Sequence, residues 1–215
     1  MMRNTNWEGY RKIAWAGVIL LVLALVVVAM QANWIGSAFL AGFLVLSVAF
    51  LKLEERLPTL FDLVFVSAAL LNAVGCAWDL YNKPGLYDEV AHFYSIFAIT
   101  LAVGFALYRE LMGSYDGHRL LFVVTIASLG IALGALWEVA EWSADFFVEK
   151  QIVSGLFDTV TDLILDSAGA LCAALLNLWG LNELKRAEHA AKVQERDHVM
   201  DSSAPLSETS GEAAG

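Results

Sequence analysis

The chain has 215 residues, of which 59% are hydrophobic and 17% charged, and its mean hydropathy is +0.62. Soluble domains are about 45–50% apolar and about 25% charged, so a soluble globular domain is excluded and a polytopic membrane protein is expected. The formal charge of −10 excludes a basic nucleic-acid footprint.

Residues 1–12 are short and polar, with Arg3, Arg11 and Lys12. Residues 13–30 form the first predicted span, free of ionisable groups. A signal peptide is the rival reading, but the apolar run is too long and Met30-Gln31-Ala32 is a poor cleavage site. Residues 34–51 form the second span, and the charged loop KLEERLP ends at Pro58. The third span covers 60–80, with Asn72, Cys76 and Asp79 on one helical face. A tight Pro-Gly loop, YNKPGLY, leads into the fourth span at 88–108. The fifth covers 120–142. Residues 143–157 mix aromatic and charged groups and read either as an interfacial lid or as a helix extension. The sixth span covers 158–180.

The expected fold is therefore an all-α, polytopic transmembrane bundle of six spans. Residues 1–181 make the membrane domain. Residues 182–215 make a charged, helical stub and a tail, DSSAPLSETSGEAAG, too polar to order itself. Cys76 and Cys172 fall inside predicted spans and read as small apolar packing residues, not a disulfide or a metal pair. The first and second spans read as lipid-facing scaffold.

Basic residues favour cytoplasmic loops. Six spans put Arg3, Arg11, Lys12, Lys52, Arg56, Arg109, Arg119, Lys185, Arg186, Lys192 and Arg196 on one side. Only Lys83 and Lys150 remain on the other, which accounts for all 13 Lys and Arg. Both termini are expected to be cytoplasmic.

The same topology gathers the carboxylates. Asp88 opens the fourth span, with His92 one turn deeper; Glu138 and Glu141 close the fifth; Asp158, Asp162 and Asp166 descend the sixth, the last about 12 Å below the first. All lie in the outer leaflet. They share faces with small residues: Gly130 and Gly134 on the fifth span, Gly169, Ala170 and Ala173 on the sixth, Ser95, Ala102 and Ala106 on the fourth. Small stripes are where membrane helices approach closely, so these three spans are expected to touch and to open outward into a polar cleft.

Each residue also has a plainer reading. Asp88 and Asp158 can be helix N-caps, Glu141 an interfacial charge beside Trp142, Asp79 a solvated helix end, and His92 a satisfied interior histidine. Asp166 and Glu138 sit deeper, so a plain reading fits them less well. An ionisable side chain near the middle of a bilayer costs about 2.5–3.5 kcal/mol even on the mildest scale. Several adjacent carboxylates with so few basic partners must share protons or a cation. Oxygen ligands with one imidazole suit Mg²⁺, Mn²⁺ or Ca²⁺, with Zn²⁺ as a further option. Asp88, His92, Glu138, Glu141, Asp158, Asp162 and Asp166 are the candidate metal ligands, and His92 and Glu138 the candidate general bases.

Three segments carry a family resemblance: Tyr87-Asp88-Glu89-Val90-Ala91-His92-Phe93, Trp137-Glu138-Val139-Ala140-Glu141-Trp142, and Asp158-Thr159-Val160-Thr161-Asp162 with Gly169-Ala170. Together they resemble the motifs of YjdF-like bacterial inner-membrane proteins, a family of unknown function distantly similar to VanZ-like proteins. The resemblance covers roughly residues 60–180. It implies a multi-pass helical protein of the inner membrane and points to Asp88, His92, Glu138, Glu141, Asp158 and Asp162 as its site. Glu89 stands where that family often has a basic residue.

Three functions follow from the residues. The first is a metal-dependent hydrolase or transferase acting on a lipid-linked or envelope substrate. The second is a cation- or proton-coupled transporter or sensor. The third is a non-catalytic membrane partner with a structural ion site. A continuous polar path through the inner half would favour the second. The expected partners are the lipid bilayer and a lipid-linked substrate, without nucleic acid; the oligomeric state is left open.

Overall fold

The computed structural model describes residues 7–52, 59–111, 117–147, 153 and 155–202, and among these every regular element is a helix. In chain order they are α1 (Trp7–Met30), α2 (Trp34–Lys52), α3 (Thr59–Trp78), α4 (Tyr87–Leu111), α5 (Arg119–Ala144) and α6 (Leu156–Ser202). Six stretches are long and apolar enough to cross a membrane: Arg11–Met30, Trp34–Lys52, Phe61–Trp78, Tyr87–Leu107, Arg119–Ala144 and Leu156–Gly180. The sequence boundaries fall within two residues of these. The acidic tail beyond Ser202 and, within the 143–157 connection, residues 148–152 and 154 lie outside the described residues.

The chain divides into two compact units, Met1–Leu178 and Trp179–Gly215. The first holds every candidate site residue. In the second, helix continues to Ser202.

The helix ends that frame the site are set by local chemistry. Ala32 adopts a left-handed conformation after α1, and the next residue, Asn33, caps α2: its Oδ1 accepts the Gly36 N–H at 2.9 Å. Asp79 is left-handed at the end of α3 (φ 53°), and the Leu80 N–H returns to the Gly75 carbonyl at 3.0 Å. That six-to-one bond is a Schellman C-cap. The Gln31 side-chain amide donates to the Ala77 carbonyl at 3.2 Å, joining the α1–α2 turn to the same end of α3. The α1–α2 and α3–α4 turns are thus neighbours at one end of the bundle.

Two apolar clusters bind α1, α2 and α3. One contains Leu21, Val28, Leu40, Ala69 and Ala73; the other contains Ala14, Val18, Leu51 and Val66. Large apolar side chains also face outward along the helices, among them Leu23 (57% exposed), Val45 (66%), Leu136 (63%) and Ile164 (63%). Soluble monomers rarely present so continuous an apolar surface; around a membrane protein it meets lipid.

Helices α5 and α6 meet along their small-residue stripes, but the α4 side of the contact is Phe93, Phe97, Thr100 and Gly104, and Ser95 of the expected α4 stripe faces Asn72 on α3. A Cβ on Gly134 would lie 2.6 Å from the Asp166 carboxylate, and one on Gly130 would lie 2.3 Å from Thr100 Oγ1 and 2.6 Å from Ala170. A Cβ on Gly169 would meet the Phe93 carbonyl oxygen at 2.4 Å. At Gly169 the obstacle is backbone, while at Gly130 and Gly134 neighbouring side chains would have to shift, and these approaches draw α5 and α6 against α4.

Two expectations need correction. Cys172 is exposed and so is not a packing residue, whereas Cys76 packs on the α1–α3 core as expected; both thiols are free. Helix α2 is not merely lipid-facing scaffold. Its Phe39 and Phe43 rings stand 4.7 and 6.0 Å from Trp137 on α5. Phe39 and Phe43 supply an aromatic face at spacing i, i+4, which binds α2 inward.

Candidate functional site

The site begins at the α3–α4 turn. Tyr81 and Tyr87 flank its Pro-Gly step, and their rings meet edge-on at 5.5 Å. Tyr87 Oη donates to the Leu71 carbonyl. Tyr81 Oη donates to Asn72 Oδ1 at 2.8 Å, and Asn72 Nδ2 donates to Ser95 Oγ at 2.7 Å and to the Ala68 carbonyl at 2.9 Å. Burial pushes the Tyr81 hydroxyl well above its ordinary pKa, so it stays a donor. This network fixes the first turns of α4, and hence His92, against α3.

His92 is the hub. Its Nε2 lies 3.6 Å from Asp88 Oδ1, one turn up the same helix. Its Nδ1 lies 3.5 Å from Glu138 Oε1 of α5 and 3.4 Å from Asp166 Oδ1 of α6. Two sets of three side chains bring ligand atoms within 4.8 Å of one another: Asp88, His92 and Asp162, and His92, Glu138 and Glu141. The sequence singled out all of these. Asp158 is half-buried one turn above Asp162 and belongs to neither set. Asp166 is 1% exposed beneath His92, also outside both sets. Asp79, the C-cap of α3, is exposed, as its plainer reading expected, and accepts a hydrogen bond from Asn82 at 2.6 Å.

The arrangement is crowded with negative charge. Glu138 Oε1 and both Asp166 oxygens are buried and have no hydrogen-bond partner. Each buried polar atom left unpaired costs about 1–3 kcal/mol, more if charged. One imidazole cannot offset Asp88, Glu138, Glu141, Asp162 and Asp166 together. Lys83, the described basic residue near this end, donates its ammonium to the Trp78 carbonyl at 2.9 Å instead. A bound cation or shared protons would relieve the cluster.

A cavity of about 810 Å³ adjoins the cluster, with Asp88, His92 and Glu141 in its wall. Its other walls come from α2, α3 and α5. Sequence reasoning missed Asn33, Trp34, Phe39, Tyr81 and Asn82 as lining residues. Uncharged and aromatic residues at helix ends are ordinary in membrane proteins, so only the position of Tyr81 and Tyr87 around the Pro-Gly turn offered a signal. It also missed the buried polar pair deeper in the seam, where Asn177 Nδ2 reaches the Thr100 carbonyl at 3.5 Å.

The family described as "Predicted membrane protein (DUF2238)" matches residues 11–182. An uncharacterized protein of Thermotoga maritima is 30% identical over 129 residues, 56% of this chain and 63% of that protein. The match therefore spans less than two thirds of that relative. No solved structure matches. Neither match speaks for a VanZ-like relationship.

Proposed function

The chain belongs to the DUF2238 family of predicted membrane proteins, and we propose that it is a multi-pass bacterial inner-membrane enzyme, a metal-dependent hydrolase or transferase of a lipid-linked or envelope substrate. The observation that carries this reading is the convergence of two ligand sets on His92, Asp88–His92–Asp162 and His92–Glu138–Glu141, each with its ligand atoms within 4.8 Å, beside a cavity whose wall holds Asp88, His92 and Glu141. The inner membrane and cytoplasmic termini rest on the motif resemblance and on the eleven-to-two division of basic residues.

Asp88, His92 and Asp162 are the proposed ligands of a divalent cation, chosen from Mg²⁺, Mn²⁺, Ca²⁺ or Zn²⁺ by the oxygen-rich donor set. Such a cation, when bound, polarises a phosphoryl or carbonyl oxygen and acidifies water. Glu138, whose buried Oε1 accepts no hydrogen bond and lies 3.5 Å from His92 Nδ1, is the proposed general base, and His92 is the alternative base if it does not ligate. The Trp137 indole N–H donates to Glu141 Oε1 at 2.9 Å and orients that carboxylate toward the cluster.

The transport reading is less well supported. Below the cluster the seam is filled: Gly130 sits against Thr100 and Ala170, and Gly104 against Asn177 and Ile126, each with less than 3.0 Å of room for a Cβ. An ion leaving His92 along that seam would meet packed side chains, not a wet track. The test is elemental analysis of the protein purified without chelators, together with chelator-sensitive turnover of an inner-membrane lipid extract. Stoichiometric metal, and turnover lost in both Asp162→Asn and Glu138→Gln, is the expected outcome. Metal-free protein, or metal retained by Asp162→Asn, contradicts it.

A further inference from the structure

We infer that the cavity beside the carboxylate–His cluster receives an amphiphile whose head group carries a cationic amine and whose apolar chain runs along α2. This deepens the enzyme reading, on which the ligand's role as substrate rests; binding itself does not depend on it.

Charge is the first argument. Asp88 and Glu141 stand in the cavity wall with His92, and Glu138, Asp162 and Asp166 lie directly behind. One divalent cation offsets only two of these five carboxylates, so acidic oxygens remain to receive a second cation with the metal bound. No Lys or Arg is among its described lining residues. An anionic head group alone finds the metal and nothing else to pair with. A head group that also carries an ammonium completes the balance.

Aromatic rings are the second. Trp34, Phe39, Phe43, Tyr81 and Trp137 line the same cavity. The Trp137 indole is held to Glu141 by its N–H at 2.9 Å, which sets a ring beside a carboxylate. Ring faces with adjacent carboxylates are the surroundings in which ammonium groups are recognised.

The neutral polar groups leave little for a sugar or another uncharged head. Asn72 engages Tyr81, Ser95 and the Ala68 carbonyl; Asn82 donates to Asp79; Asn33 Oδ1 caps α2. The cavity then runs inward past Leu40, Leu46, Ile96 and Ile99. From Trp34 to Leu46 is about 18 Å of helix, enough for an extended alkyl chain. The volume of about 810 Å³ lies within the range of small-molecule sites.

The experiment uses the full-length protein in maltoside micelles, with tryptophan fluorescence as the binding signal. Octyltrimethylammonium, octyl phosphate and octyl glucoside are the probes, and metal content is measured on the same samples. Octyltrimethylammonium is expected to bind about 5- to 30-fold more tightly than the other two. Trp34→Leu and Phe39→Leu should each lose most of that preference while eluting as folded protein with unchanged metal content. Equal binding of all three, preference for octyl phosphate, or no binding of any overturns the inference. Preference for the ammonium in metal-free protein supports this site and removes the divalent-cation reading, so the two failures are distinct.

Discussion

At the residue scale, His92 and the carboxylates around it decide the behaviour. Asp162 is 3% exposed and shares a ligand set with Asp88 and His92. Asp162→Asn removes one charged ligand and should weaken a bound divalent cation at least about tenfold, read by titration of the stripped protein. The helices should still insert, because relief of carboxylate repulsion offsets lost ligation. Leu70 packs on both apolar clusters, so a polar change there would disturb the α1–α3 core and is no neutral comparison. Leu175→Ala is a better control, since Leu175 is 51% exposed on α6. Tyr81→Phe leaves Asn72 Oδ1 without its donor and should cost about 1–3 kcal/mol, seen as a lower melting temperature. These residues differ in how readable they were. A carboxylate inside an apolar run stands out, so Glu138, Asp162 and Asp166 were legible at once. Asn177, Thr100 and the ring wall of Trp34 and Phe39 were not, because uncharged polar and aromatic residues carry no such anomaly.

At the scale of elements, glycine decides which helices touch. Gly169→Ala would drive a methyl to within 2.4 Å of the Phe93 carbonyl oxygen, a backbone atom that cannot rotate away. Overpacking of this kind costs about 1–3 kcal/mol, and here it also moves α6 from His92. We expect both lower thermal stability and weaker cation binding. A Cβ on Gly42 has no heavy atom within 4 Å, so Gly42→Ala should leave melting unchanged or raise it slightly. Equal effects of the two substitutions would dismiss the seam as a positioning device. The stripes on the fifth and sixth spans were visible as small residues at helical spacing, so that contact could be read from the chain; on the fourth the seam uses Phe93, Thr100 and Gly104 in place of the expected Ser95, Ala102 and Ala106. The inward role of α2 could not. It depends on Phe39 and Phe43 finding Trp137, nearly a hundred residues away, and nothing local to α2 separates a ring facing protein from a ring facing lipid.

At the scale of the whole molecule, the six apolar runs of the sequence fall on six helices long and apolar enough to cross a membrane, because a bilayer demands apolar length and the chain breaks it only at polar turns. Sidedness is a separate matter and rests on the basic residues. Reporter fusions at Lys83, at Lys150 and after Arg196 should read periplasmic, periplasmic and cytoplasmic; a periplasmic signal from the last would overturn the topology. That topology puts one electronegative centre, built from three helices, at the outer end of the bundle. A cation there stabilises only the folded protein, and saturation at about a hundred times its dissociation constant adds about 2.7 kcal/mol, or about 5–10 °C of melting temperature. Proton competition for the same carboxylates and imidazole should shrink that gain on acidification. The most direct measurement is therefore the melting temperature in detergent of chelator-stripped protein, with and without added Mn²⁺, near neutral pH and at about pH 5. Wild type should rise by several degrees on Mn²⁺ addition near neutrality, less at the lower pH, and Asp162→Asn should respond little at either. A wild-type melting temperature indifferent to chelator, Mn²⁺ and pH would contradict a charged, cation-binding centre.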